Sequence, residues 1–116
     1  MSPVRAEGQC VRVFIGESDR HSGKPLFEVI VWTAREMGLP GATVVRGIQG
    51  FGARSVVHTS RLLRLSEDLP VVVEVVDLPH RIEAFVEAVE KLLDEADCGA
   101  MITIEDVRII RYRPGS

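Results

Sequence analysis

Apolar and polar positions along the chain change their period from two to about 3.6 and back twice. Val11, Val13 and Ile15 alternate with Cys10, Arg12 and Phe14, which predicts a strand over Gln9–Ile15 with both faces largely covered. Gly16 ends it, and Glu17–Lys24 reads as a polar loop of turn formers. Phe27, Ile30, Ala34 and Met37 then recur at helical spacing, with Pro25 in the first turn and Gly38 as the stop. Val29 and Trp32 lie off that stripe, so this helix has apolar surface on a second side, as a helix does when it meets a partner. After the Pro40-Gly41 turn, Ala42–Ile48 reads as a second strand, and Leu62 and Leu65 extend a hairpin arm. Val71–Val76 holds five valines in six residues and predicts a central strand. Asp77 is placed to cap a second helix, with Pro79 in its first turn and Ile82, Phe85, Val86, Val89 and Leu93 on its apolar face. In the last strand Ile102 and Ile104 share one parity and Val107 and Ile109 the other; a bulge or break at Glu105-Asp106 accounts for the switch.

The resulting order is β-α-β-β-α-β, an α+β, ferredoxin-like sandwich. Right-handed crossovers put two helices on one face of a four-stranded antiparallel sheet. The other face, with Cys10, Phe14 and several valines, needs a cover, and further copies of the chain are the simplest one. The expected organisation is a loose leader over residues 1–8, a single domain over 9–113 and a tail over 114–116. A chain of 116 residues fits one domain, and oligomerisation would help it bury apolar area.

Net charge of −3 argues against general nucleic-acid binding. No apolar run approaches the roughly 20 residues that span a bilayer, and no hydrophobic signal core precedes the first strand, so a cytoplasmic, not membrane-inserted protein is expected. Two cysteines, Cys10 and Cys98, make neither a disulfide framework nor a metal knuckle and read as buried thiols.

Charge is distributed unevenly. Met37–Ser66 holds no Asp or Glu but four arginines, Arg46, Arg54, Arg61 and Arg64, and one histidine, His58. Within it Gly47, Gly50 and Gly52 flank Phe51, so the backbone is free to turn or approach a ligand. Arginine supplies planar, permanently charged donors for phosphate or carboxylate. Arg111 and Arg113 share one strand face if the last strand persists that far. An anion site built from Arg46, the glycines, Phe51, Arg54, Arg111 and Arg113 is one reading; arginines that decorate a hairpin arm or pair with acids elsewhere are the other. The glycine spacing is no Walker loop, since no Gly-Lys-Ser/Thr follows. Lys24, just before the first helix, is a secondary ligand candidate, although Ser22 there serves equally as a helix cap. His21, His58 and His80 give no nucleophile-base-orienter set and no metal spacing, so neither catalysis nor a metal is expected.

Ile15-Gly16-Glu17-Ser18-Asp19, Gly23-Lys24-Pro25-Leu26, Gly41-Ala42-Thr43-Val44, Arg46-Gly47, Gly50-Phe51-Gly52, His58-Thr59 and Leu65-Ser66-Glu67-Asp68-Leu69-Pro70 resemble the PII-like family labelled Domain of Unknown Function 190. The match runs from about Val11 to Ile110, within the wider PII signal-transduction superfamily. The resemblance implies a homotrimer whose sheets face one another, with adenine nucleotides in clefts between subunits. It implies ligand roles for Gly50, Phe51, Gly52, Arg111 and Arg113, and a partner-contacting loop carrying Arg54, Ser55, His58 and Arg61. An association of relatives with fluoride-exporting membrane proteins implies a transporter as partner. Two departures stand out. Asp97-Cys98-Gly99-Ala100-Met101 replaces a glycine-rich, lysine-bearing phosphate turn, and no tyrosine lies between Gly52 and Arg64 to be uridylylated.

The expected function is a PII-like sensor that binds a small anionic effector, such as an adenine nucleotide, at subunit clefts and signals to a partner protein through the 50–60 loop. A ligand-free oligomeric adaptor using the arginine-rich loop is the main alternative, and a metal-tolerance protein or small enzyme on the same fold is the third.

Overall fold

The computed structural model describes residues 4–52 and 68–115. Four strands form one antiparallel sheet: β1 (Val4–Gly16), β4 (Thr43–Arg46), β5 (Pro70–Asp77) and β6 (Met101–Tyr112), in the order β4-β5-β1-β6. β2 (Arg20–His21) and β3 (Lys24–Pro25) make a separate small ribbon inside the loop expected to be irregular. Helix α1 (Leu26–Glu36) follows β3, and α2 (Pro79–Ala96) joins β5 to β6. Setting the ribbon aside, this is the ferredoxin-like βαββαβ sandwich, with β5 central as its valines require.

Parity divides the sheet. Val11, Val13 and Ile15 of β1 and Val71, Val73 and Val75 of β5 are buried under the helices, where Leu26, Ile30, Ala34, Ile82, Phe85 and Val89 complete one core. Each such side chain contributes about 1.5–3 kcal/mol by leaving water. α1 ends in a Schellman motif: the Leu39 N–H donates to Ala34 O at 3.1 Å and the Gly38 N–H to Arg35 O at 3.0 Å. Gly38 has φ +76°, a conformation that only glycine adopts without strain.

Three boundaries differ from the pattern reading. β1 starts at Val4, so residues 4–8 of the expected leader are paired with β6. Arg5, Ala6, Glu7 and Gly8 carry no apolar alternation, and it is their pairing with β6 that places them in the sheet. β4 covers only Thr43–Arg46, a short exposed edge strand. The register of β6 on β1 runs unbroken from Phe14↔Met101 to Ala6↔Ile109, with its one shift between Val4 and Ala6. The bulge expected at Glu105-Asp106 is therefore absent. Ile102 packs against the core, whereas Val107 and Ile109 lie on the opposite face, opposed to Gly8 and Ala6. Apolar side chains change face there while the strand continues straight.

The helix start also differs. Pro25 is the N-cap of α1 with no side-chain cap, and Ser22 instead sits in the ribbon turn at φ 50°. Leu78 is the N-cap of α2, with Pro79 at its first position. No helix among the described residues is long and apolar enough to cross a membrane.

Candidate functional site

Two clefts lie at opposite ends of β5, one beside Asp77 and one beside Pro70, roughly 23 Å apart at about 3.3 Å per residue. Between them runs the open sheet face. Opposed residues share a face, so Val45, Val72, Phe14 and Met101 form one apolar row across all four strands. Val45 is 55% exposed, Phe14 38% and Met101 62%. The next row is polar: Thr43, Glu74, Arg12 and Thr103. Arg12 Nε donates to Glu74 Oε2 at 2.7 Å, and its Nη1 pairs with Glu105. These two carboxylates push the Arg12 guanidinium still further above its ordinary range. Cys10 is buried beside them, and burial, with the Glu74 charge, raises its thiol. Cys98 is half-buried, and both cysteines are free thiols.

The cleft at the Asp77 end has a volume of about 670 Å³ and is walled by the Gly38–Thr43 connection, Glu74, Val76, Arg81, Ile109, Arg111 and Tyr112. Buried Asp77 builds its rim. One carboxylate oxygen accepts the Leu78 N–H at 2.7 Å, and the other accepts Arg81 Nε at 2.6 Å. Arg81 Nη2 donates onward to Gly38 O at 2.5 Å, which ties the end of α1 to the start of α2. Arg81 is thereby committed. The Arg111 guanidinium makes no ion pair or hydrogen bond with another described residue, so a planar cation faces this cleft with its donors unused.

The cleft at the Pro70 end measures about 450 Å³ and is lined by Phe14, Ile15, Gly16, Asp19, Phe51, Gly52, Asp68, Pro70 and Gly99–Met101. Gly47 and Gly50 allow the chain leaving β4 to cross Pro70. The Gly47 N–H donates to Pro70 O at 2.7 Å, and a Cβ on Gly47 or Gly50 would stand 2.9 or 3.0 Å from the proline ring. Asp19 Oδ2 accepts the Gly16 N–H at 2.8 Å. Asp68 Oδ1 accepts the Ser18 hydroxyl at 2.7 Å and the Ser18 N–H at 3.2 Å. Arg46 Nη1 pairs with Glu17 Oε2 at 2.8 Å.

The structure thus brings Phe51 and Gly52 into one cleft with Gly47 and Gly50 behind them, and places Arg111 in the other. Arg46 is held by Glu17 at the Pro70 end. Arg113 lies beyond the end of β6 and Lys24 is in the ribbon; neither lines either cleft. Within one chain the glycines and the terminal arginines do not meet. Arg54, Ser55, His58 and Arg61 lie outside the described residues. Pattern reading missed Asp19, Asp68, Glu74 and Arg81 as wall residues. Glu74, the one charge inside a valine run, was the available signal.

A family model described as DUF190, Uncharacterized ACR, COG1993 matches residues 8–109. The chain belongs to this family. A relative from Aquifex aeolicus (strain VF5), "UPF0166 protein", is 36% identical over 100 residues, covering 86% of this chain and 90% of the relative. Among solved structures, CPII, a nitrogen regulatory PII-like protein from Thiomonas intermedia K12 bound to ADP, AMP and bicarbonate, superposes with a TM-score of 0.65. Sequence identity is 10%, with 91% of each chain covered, so the likeness is one of fold. A phage SAM lyase in complex with S-methyl-5'-thioadenosine is similar at a TM-score of 0.54 and 18% identity, over 91% of this chain and 85% of the lyase. The DUF190 chain therefore carries the PII-like fold, one that holds both regulatory proteins and an enzyme.

Proposed function

We propose that this DUF190 protein is a PII-like sensor that binds an adenine nucleotide in sites shared between neighbouring subunits of a homotrimer. The observation that carries the reading is the pair of incomplete clefts at opposite ends of one sheet. One supplies an uncommitted arginine, Arg111; the other supplies the glycine-lined wall with Phe51. A closed head-to-tail ring sets one end of each chain against the other end of the next. Packing the open face, with its row of Val45, Phe14 and Met101, into that ring covers apolar area and completes each site from two half-clefts. Fold similarity to a protein that holds ADP, AMP and bicarbonate supports an adenine ligand. Bound ligand is then signalled to a partner protein through the 50–60 segment. No catalytic step is part of this reading.

Thermal unfolding against a panel of nucleotides, cyclic nucleotides, bicarbonate, fluoride and divalent metals tests it. A ligand that binds only the folded protein stabilises it by about 2.7 kcal/mol at a hundred times its Kd. The expected result is a clear upward shift with an adenine nucleotide that disappears in Arg111→Ala. No shift with any adenine nucleotide at millimolar concentration would overturn the reading in favour of a ligand-free adaptor.

A further inference from the structure

We infer that Arg81 is a positioning residue of the nucleotide site: it ties the exit of α1 to the start of α2 and so holds the Gly38–Thr43 wall of the Asp77-end cleft in its binding shape. The inference rests on the nucleotide reading above and adds the residue that keeps one half-cleft formed before ligand arrives.

One wall of this cleft is the connection from α1 to β4, and the facing wall includes the end of β5 and the first turn of α2. The connection has little structure of its own. It holds two glycines, Gly38 and Gly41, and the backbone donations of Gly38 and Leu39 return only to α1. Leu39 and Ala42 pack partly against the core, and pairing with β5 begins only at Thr43. Arg81 supplies a tie across the mouth. Its Nε donates to Asp77 Oδ2 at 2.6 Å and its Nη2 to Gly38 O at 2.5 Å. Asp77 is a firm anchor, since it is buried and its other carboxylate oxygen accepts the Leu78 N–H. The tie thus runs from a buried carboxylate at the end of an interior strand to the carbonyl where the wall begins. Gly38, Asp77 and Arg81 itself all line the cleft.

The shape of the guanidinium explains why arginine stands here. Nε and Nη2 point in fixed, different directions, so one side chain serves a carboxylate and a carbonyl together. Carbonyls at a helix C-terminus carry partial negative charge, which favours a cationic donor. Lysine would answer Asp77 with a point charge but would not hold both partners in one geometry. Arg81 therefore acts on a ligand through the wall. A wall fixed in advance costs less ordering when ligand binds. Without the tie the wall spends less time in its binding shape, and apparent affinity falls by that fraction.

The test combines hydrogen exchange of the ligand-free full chain with isothermal titration of AMP and ADP, in the wild type, Arg81→Lys and Arg81→Gln. Lysine keeps a cation against Asp77 and glutamine keeps a hydrogen-bonding group, so at least one variant is expected to hold the native circular dichroism spectrum. The expected result is amide exchange about three- to tenfold faster over residues 38–43, with exchange over the 71–76 core strand unchanged. Affinity for the bound nucleotide is expected to fall by a similar factor. Faster exchange over both segments alike would mark a general loss of stability and overturn the positioning role. Unchanged exchange over 38–43, or faster exchange there with undiminished affinity, would overturn it too. A wild type that binds neither nucleotide overturns the nucleotide reading, an outcome that the exchange measurement keeps separate from failure of the tie.

Discussion

At the scale of single residues, Arg81 carries the most structure per side chain. It pairs with a buried carboxylate and caps a carbonyl at the end of α1, so it joins both helices at the rim of the larger cleft. Arg81→Ala leaves Asp77, 7% exposed, without its cation. Breaking a fully buried pair costs about 3–5 kcal/mol, and the half-exposed guanidinium reduces this to roughly 2 kcal/mol. Chemical denaturation should show that loss as a lower midpoint with an unchanged slope. An unaltered midpoint would mean that solvent replaces Arg81 at no cost. The i,i+4 spacing to Asp77 is local, but nothing in the sequence announces the bridge to α1, because Arg81 otherwise falls among the charges of an amphipathic helix. Its carbonyl partner lies more than forty residues away in the Met37–Gly38 turn. Arg111 is the opposite case: it is proposed as a ligand group because it has no partner among the described residues, which no sequence pattern shows.

At the scale of elements, periodicity was a good guide wherever one face is buried and the other wet. The valines of β5, the Leu26–Ile30–Ala34 stripe of α1 and the Ile82–Phe85–Val89 stripe of α2 all lie in the core. Periodicity misled where burial stops but pairing continues. Val4–Gly8 are held by ladder hydrogen bonds without apolar alternation, and the apolar residues of β6 change face because the helix layer no longer covers them. The open sheet face is the element with the clearest unmet need. In its Val45–Val72–Phe14–Met101 row, Val45, Phe14 and Met101 are exposed large apolar side chains on neighbouring strands. A charge placed there should prevent assembly without disturbing the helix-side core. The wild type is expected to sediment as a trimer, and Phe14→Glu or Met101→Glu as a monomer with native far-UV dichroism. A wild type that is monomeric at micromolar concentration would contradict the assembly.

At the scale of the whole molecule, the glycine-rich exit and the terminal arginines were legible as candidate ligand residues, but their separation was not. The pattern of residues offers candidate anion-binding groups; only the sheet topology shows that β5 holds the two sets apart within a chain. It is this separation, together with the uncovered face between the clefts, that points to a site completed by a neighbour. Asp19 and Asp68 belong to the same lesson. Each reads in sequence as a turn residue, and only the fold places both carboxylates on one cleft wall with a turn that lacks any base.

Complementation between two defective chains tests the shared site most directly. Arg111→Ala removes the cation of one half-cleft, and Ala100→Trp fills the other; each variant alone should bind no AMP. When equal amounts are unfolded together and refolded into mixed rings, about a quarter of the junctions pair two intact halves, and AMP binding should return to about a quarter of the wild-type stoichiometry. Mixed assemblies that form but bind no AMP would show that both half-clefts act within a single chain, and the shared site would be wrong.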